Sequence, residues 1–163
     1  MSKSNFERMI QLSDEVFSSR TDPDQLNVSE NVMEHLQLIH PDTISEYDDG
    51  NGPVCWILLI PTTLELMNQF INKEISEREL YQQTPLNANY EAIYLCSALL
   101  LEEFRGKGIA QNLALNAIEN IKKDHSIKAL FFWSFSKEGK KLAEKVSELI
   151  ALPLYKRLVS SFR

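Results

Sequence analysis

The sequence has few of the residues from which metal sites and disulfide frameworks are built. Two cysteines and three histidines are scattered along its 163 residues, at Cys55, Cys96, His35, His40 and His125. They form neither a C-x-x-C nor an H-E-x-x-H pattern, so we expect no metal site. Both cysteines lie in apolar segments, which favours buried reduced thiols over a disulfide.

Long apolar runs are also lacking. The longest covers Val54 to Ile60, about seven residues, where a bilayer span needs about 20. Residues Met1 to Arg8 contain no apolar core of signal-peptide length. Together with the reduced cysteines, these absences predict a cytoplasmic protein that does not bind membranes.

Basic residues are outnumbered, but unevenly along the chain. The 17 Lys and Arg against 23 Asp and Glu give a net charge of −6. Residues 1–90 carry 5 basic and 15 acidic side chains, whereas residues 91–163 carry 12 basic and 8 acidic ones. The acidic total argues against nucleic-acid binding. The basic C-terminal part has the charge to hold an anion.

The overall composition is that of an ordinary soluble domain, with 44% hydrophobic and 25% charged residues. A domain of this length buries about two-thirds of its unfolded surface and needs no disulfide or metal. We therefore expect one domain over residues 1–163. The sequence leaves the oligomeric state open, with a homodimer as one possibility.

The sequence of the N-terminal half predicts mostly helices. Apolar residues recur at helical spacing over 5–19 and again up to Ile39, where Pro41 stops the second helix. That helix has two candidate starts, residues 22–24 and Ser29. Beyond it we predict a turn over Glu46–Pro53, a central buried strand over Val54–Ile60, a helix opened by Pro61–Thr63, and a capped helix over Ser76–Gln83.

The C-terminal half predicts a regular alternation of strands and helices. The order predicts an α/β or α+β fold around one mixed sheet. Its elements are a strand over Ala92–Leu101, a helix over Gly108–Lys123, a strand over Ala129–Phe135, a helix over Lys137–Ile150 and a last strand over Leu154–Val159.

A short glycine-bearing loop joins the first of these strands to its helix. Gly106 and Gly108 allow close approach of a ligand to the backbone, and Arg105 and Lys107 add two cations. The first helical turn offers unpaired N–H groups at the positive end of the helix dipole. The loop is therefore suited to a phosphate or pyrophosphate. The alternative is a solvated basic turn whose glycines only connect strand to helix.

Two familiar phosphate motifs do not fit this loop. No Gly-Lys-Ser/Thr of a P-loop follows, and Gln111 stands where the dinucleotide fingerprint has its last glycine. A third pattern does fit. The segment Arg105–Ala110 resembles the (Gln/Arg)-x-x-Gly-x-(Gly/Ala) acyl-CoA signature of the GNAT family of N-acetyltransferases. The resemblance covers about Ala92 to Val159, and residues 1–90 match only in element order.

The resemblance implies a single GNAT-like domain, with a mixed central sheet flanked by helices and with strands splayed at the cofactor site. It implies that residues 1–90 form the acceptor side and residues 91–163 the part that binds acetyl-CoA. The strand end would pair with the pantetheine arm, and the backbone N–H of Leu100 would stabilise the oxyanion at the thioester. The implied cofactor-binding residues are Leu99, Leu100, Leu101, Arg105, Gly106, Lys107, Gly108, Ile109 and Ala110.

Acyl transfer to an amine needs a base for the ammonium and, optionally, an acid for the thiolate. The candidate bases are Glu102, Glu91 and the turn residues Asp48 and Asp49. The basic face of the last long helix is a further candidate for holding the nucleotide 3′-phosphate. That face carries Lys137, Lys140, Lys141 and Lys145.

One departure from the family pattern concerns the acid. In the family, the last long helix opens with Asn and carries a Tyr seven residues later that protonates the thiolate. Ser136 and Ala143 stand at those positions here. Tyr155 and Tyr94 are the possible substitutes, each otherwise interpreted as a packed aromatic with its hydroxyl at the surface.

Three hypotheses follow. The first is an N-acetyltransferase that moves an acetyl group from acetyl-CoA to a primary amine, on a small molecule or a protein, by direct attack. The second is a GNAT-fold module that binds or senses CoA with weak or no transfer, consistent with Ala143. The third is an unrelated α/β domain with a structural glycine turn.

Overall fold

The computed structural model describes residues 3–19, 30–134 and 136–158, without the side chains of residues 17–19 and 30. Both candidate starts of the second helix lie outside these ranges. The elements are α1 Asn5–Ser19, α2 Glu30–Ile39, β1 Ile44–Asp48, β2 Pro53–Thr62, α3 Leu64–Ile71, α4 Glu77–Gln83, β3 Ala92–Leu100, a 3₁₀ turn Glu102–Phe104, α5 Ile109–Asp124, β4 Ala129–Trp133, α6 Lys137–Ile150 and β5 Leu154–Arg157.

The five strands form one sheet whose spatial order follows the chain. β1, β2 and β3 pair antiparallel, whereas β3, β4 and β5 pair parallel. The parallel strands are joined through α5 and α6, the long helical connections that parallel pairing requires. The predicted α+β class with one mixed sheet is confirmed.

The helices cover both faces of the sheet. On one face the Phe70 ring of α3 contacts Tyr94 of β3 and Phe131 of β4, and Phe6 of α1 contacts Trp56 of β2. Phe132, whose side chain points to the opposite face, lies beside α6. The sheet is therefore covered by α1 and α3 on one side and by α6, with its neighbour α5, on the other.

The C-terminal end of α5 is held by two histidines. His40, which follows α2, contacts Asp124 through Nε2 at 2.8 Å, and its Nδ1 accepts from the Asp42 N–H. His125 packs beside the Tyr90 ring and accepts from the Tyr90 N–H through Nδ1. Burial lowers the pKa of His125, and the neighbouring His40 lowers it further.

Two N-terminal predictions were wrong. Residues 44–48, partly assigned to a turn, form β1, a polar strand at the sheet edge. Pro61 does not open a helix but lies inside β2, and Thr63 caps α3 instead. The Leu59 N–H points toward the β1 side, so the nitrogen of Pro61 does too. β1 pairs no further than Leu58, so the missing N–H costs no ladder hydrogen bond.

The cysteines differ in exposure. Cys55 is buried and free, as predicted, and burial raises the pKa of its thiol to about 12. Cys96, predicted to be buried, forms no disulfide with Cys55 and is only half-buried. In the described ranges, no helix is both long and apolar enough to cross a membrane.

Candidate functional site

The site begins where β3 and β4 part. Their pairing runs from Ala92 only to the Leu95–Phe132 pair, while β3 continues to Leu100 along β2. Cys96 is an extra residue on β3, because Leu58 and Leu59 oppose Ser97 and Leu95. This β-bulge bends the strand at the point of divergence. The rest of β3 keeps one edge unpaired by β4.

Backbone donors point into this open edge. The Leu101 N–H donates to the Val54 carbonyl at 3.0 Å, so Leu100 and Cys55 form a non-hydrogen-bonded pair of the antiparallel ladder. The N–H of Leu100 therefore points away from β2, toward the gap. The same alternation turns the N–H of Ala98 into the gap, about 6.6 Å deeper along the strand. Sequence reasoning missed Ala98.

The open edge leads into the glycine loop. Gly106 and Gly108 both adopt left-handed backbone conformations, with φ of 78° and 77°. Gly108 is the N-cap of α5 and makes no side-chain capping bond. The N–H groups of the first helical turn have no acceptor within the helix. Arg105 differs from the expectation, because its N–H is already bonded to the Glu102 carbonyl at 3.1 Å.

Two cations flank the loop. Arg105 and Lys107 are exposed, and the Lys107 ammonium lies 5.4 Å from the centroid of the Phe104 ring. Ile109 and Ala110 are half-buried at the start of α5. The loop can therefore present backbone N–H groups, a helix dipole and two positive charges to one anion.

The basic face of α6 is exposed as expected, and one edge of it borders a cavity. Lys140 and Glu144 of α6, with Phe132 and two residues of β5, line a space of about 150 Å³. Among the described residues, no group of three His, Cys, Asp or Glu side chains comes together as a metal site would require.

The predicted bases lie at different places. Glu102 is exposed in the 3₁₀ turn directly after β3. Glu91 lies before the opposite end of β3 and forms an ion pair with Lys128 at 2.6 Å. Glu102 is therefore near the mouth of the gap, whereas Glu91 is remote from it.

The acidic turn between β1 and β2 lies at the same end of the sheet as the glycine loop. Asp48 Oδ1 accepts from the N–H groups of Gly50 and Gly52. Asp49 Oδ1 accepts from the Asn51 N–H and from the Asn5 side chain of α1. Both carboxylates shape the turn, and Asp49 also ties α1 to it.

An unexpected ion pair joins α1 to the loop. Arg8 contacts Glu103 through two hydrogen bonds of 2.6 Å each. These bonds hold the pKa of the Glu103 carboxyl at about 2, with smaller contributions from the charges of Arg8 and Lys107. Glu103 therefore stays ionised at neutral pH. Its ion pair joins α1 to the chain two residues before Arg105.

The two tyrosines predicted as possible acids differ in exposure. Tyr155 is 46% exposed on the edge strand β5. Tyr94 is fully buried, and its hydroxyl donates to Glu77 Oε2 rather than reaching the surface, which corrects the expectation. Ala143 is buried in α6, so an apolar methyl group occupies the position where the family has its Tyr.

Sequence reasoning also missed Glu77. This carboxylate is 3% exposed and bonds the Tyr94 hydroxyl at 2.5 Å, with the Cys96 thiol 3.8 Å away. Glu77 is the first residue of α4, inside a predicted capping box that the structure confirms between Ser76 and Glu79. The capping pattern fixes the helix start but not the face that becomes buried.

The fold has counterparts among solved structures. No protein-family model and no curated protein matches the chain. An aminoglycoside acetyltransferase, meta-AAC0020 from an uncultured soil metagenomic sample, solved with sisomicin, is similar with a TM-score of 0.51 and 13% identity. The match covers 97% of this chain and 86% of that one. The same enzyme with trehalose gives a TM-score of 0.51 at 12% identity.

A second protein has a similar fold. A tetramutant of the BH1408 protein from Bacillus halodurans matches with a TM-score of 0.50 and 13% identity, covering 98% of this chain and 94% of that one. These likenesses confirm the predicted GNAT-like fold.

Proposed function

We propose that this chain is an acyl-CoA-dependent N-acyltransferase that moves an acetyl group from acetyl-CoA to a primary amine. The proposal is based chiefly on three features that follow one another along the chain. They are the open edge of β3, the left-handed glycines, and the start of α5, which has no side-chain cap. An extended ligand with an amide arm and a pyrophosphate matches that sequence of donors. The proposal is supported by the resemblance of Arg105–Ala110 to the signature loop with which the GNAT family binds its acyl donor.

The backbone positions the acyl donor in this proposal. The N–H groups from Gly106 to Ala110 bind the pyrophosphate, helped by Arg105 and Lys107. The free edge from Leu99 to Leu101 pairs with the pantetheine arm as an added strand. The N–H groups of Leu100 and Ala98 then face the arm and the thioester carbonyl, where one of them stabilises the developing oxyanion.

The amine enters from the acidic side. The turn with Asp48 and Asp49, the start of α1 and Glu102 lie at the end of the sheet where β3 ends. Negative charge there favours a cationic acceptor over an anionic one. The acceptor is a small amine or a protein amino group.

Ala143 favours a second candidate function. Because its methyl group replaces the expected hydroxyl, nothing at that position protonates the leaving thiolate. Such a chain binds acetyl-CoA and transfers slowly or not at all, as a sensing module would. Thiolates are weak bases and leave without an acid, so we keep the transferase as the main proposal.

Two measurements separate these functions. Calorimetric titration with acetyl-CoA is expected to give saturable binding, and its absence would rule out both CoA-dependent functions. A thiol-release assay with polyamines, amino acids, aminoglycosides and peptides with free N-termini is expected to show turnover with at least one amine. Binding without turnover across the panel would favour the sensing module.

A further inference from the structure

A buried carboxylate lies beside the point where β3 and β4 part. Glu77 is 3% exposed, and its Oε2 contacts the Tyr94 hydroxyl and, at 3.8 Å, the Cys96 thiol. Cys96 is the bulge residue directly after the last β3 residue that pairs with β4. Glu77 therefore reaches the inner end of the gap, where the strands diverge.

The carboxylate reaches this point from the face opposite α5. Tyr94 packs against Phe70 of α3, and α4 follows α3 on the same side of the sheet. The loop at α5 begins at the outer end of the gap. A donor that binds by its pyrophosphate at the outer end places its thioester toward the inner end, next to Cys96. Cys96 is half-buried and is the most exposed residue of the cluster.

The surroundings of Glu77 are both polar and charged. Its contacts include the Tyr94 phenol and the Cys96 thiol. From β5 the buried Arg157 bonds the Ile75 carbonyl at 2.6 Å, two residues before Glu77. Arg157 also stacks on the rings of Phe70 and Trp133. A buried carboxylate is costly unless it is paired or hydrogen-bonded, which these neighbours make possible.

The exposed acids have other partners or stand further out. Glu103 is bonded to Arg8, Glu91 to Lys128, and Asp48 to its own turn. Glu102 lies beyond the outer end of β3. Glu77 is the described carboxylate that contacts the strand at its point of divergence.

We propose that Glu77 is the general base of the transfer reaction, taking a proton from the acceptor ammonium directly or through one water at Cys96. This inference rests on the proposed acyltransferase function. Tyr94 is a positioning residue, because its hydroxyl holds the carboxylate toward the gap.

The proton balance is simple. Glu77 takes one proton from the ammonium, and the neutral amine forms the C–N bond at the thioester carbonyl while the C–S bond breaks. The second proton of the nitrogen goes to the departing thiolate, which gives the amide and free thiol. Glu77 then releases its proton to solvent, which restores the carboxylate.

The first test compares two nucleophiles at pH 8. A primary alkylamine is mostly protonated and needs a base, whereas hydroxylamine is neutral and does not. We expect Glu77→Gln to slow transfer to the best alkylamine of the panel by about 100-fold or more, the usual contribution of a general base. Transfer to hydroxylamine should stay within about threefold, as both reactions should for the exposed control Glu74→Gln. Equal loss with both nucleophiles, or selective loss in Glu102→Gln instead, overturns the proposal.

A second variant with a shorter carboxylate keeps the proposal testable if Glu77→Gln does not fold. Glu77→Asp keeps the charge but draws it back from Cys96. We expect at least tenfold slower alkylamine transfer, with hydroxylamine transfer retained. Circular dichroism checks that each variant is folded. Unselective loss in a folded Glu77→Asp overturns the proposal.

The second test measures position rather than activity. Alkylation of Cys96 by iodoacetamide, followed by mass spectrometry, should slow at least fivefold when acetyl-CoA is saturating. Cys55, which is fully buried, serves as the internal reference. Calorimetric binding without protection of Cys96 overturns the role of Glu77 and leaves the CoA site standing. No calorimetric binding overturns the proposed function, and the base with it.

Discussion

The helices α5 and α6 begin at the same end of the sheet, each after a parallel strand, but their N-termini differ. At α6 the Ser136 hydroxyl accepts from the Gly139 N–H at 3.0 Å, and Glu138 lies in the first turn. At α5 the N-cap is Gly108, with no side-chain cap and no acid in the first turn. One helix satisfies its positive end with its own side chains, and the other leaves that end for an anion.

The largest expected effect comes from filling the open helix end. Gly108→Glu places a carboxylate among the donors and forces a left-handed φ on a residue with a Cβ. We expect acetyl-CoA to bind at least about 100-fold more weakly, or about 2.7 kcal/mol, by calorimetry. The control is Gly108→Asn, because Asn tolerates this conformation and is neutral. If both variants bind like wild type, α5 does not hold the anion.

Removing the cations of the loop should have the next largest effect. Arg105→Ala with Lys107→Ala is expected to weaken acetyl-CoA binding about tenfold at low salt and less at high salt, because charge attraction is screened. The matched control removes two exposed lysines of α6, Lys140 and Lys141. An equal loss of acetyl-CoA affinity in the control would mean that α6 also binds the anion. The proposed difference between the two helices would then be wrong.

Removing the cap of α6 should affect folding rather than binding. Ser136→Ala is expected to lower the free energy of unfolding by about 1 kcal/mol, measured by urea denaturation, because the Gly139 N–H loses its acceptor. Binding of acetyl-CoA should stay within about twofold, since this end holds no ligand in the proposal. A loss of stability without a loss of binding would support the contrast between the capped start of α6 and the uncapped start of α5. A loss of binding without a loss of stability would contradict it.

The smallest effect concerns the other end of α5, which is closed by His40 and His125. The pKa of His125 is lowered by folding, so the unfolded chain takes up a proton before the folded chain does. Stability should therefore fall as pH drops below about 6.5, the ordinary value for His. Urea midpoints between pH 7.5 and pH 5 test this, and His125→Asn should flatten the profile. An unchanged slope in that variant would assign the pH dependence to other groups.

The C-terminal half could be predicted from its sequence because its signals are local. The bounds of α6 match the prediction, since its apolar stripe lies within the helix itself. The loop Arg105–Gly108 was likewise identified by residue types that act through the backbone. Helix periodicity and glycine at a helix start need no knowledge of distant residues.

The misses depend on contacts far apart in sequence. β1 is polar because it lies at the edge of the sheet. It is a strand because it pairs with β2, and its own composition has no apolar strand pattern. Pro61 is tolerated in β2 only because β1 ends before reaching it. Glu77 looks like a surface residue of a capping box until α4 packs against β3. Burial of a single charge and the extent of a strand are tertiary properties, which local patterns do not contain.

The bulge at Cys96 also constrains how this segment of the gene can change. Side chains and N–H groups alternate along a strand, and the extra residue resets that alternation for everything between it and the glycine loop. Deleting or inserting one residue here would turn the N–H groups of Ala98 and Leu100 toward β2 and away from the gap. Sequence variation along this stretch should therefore be almost entirely by substitution, with length held fixed from Cys96 to Gly108 even where the side chains are replaced.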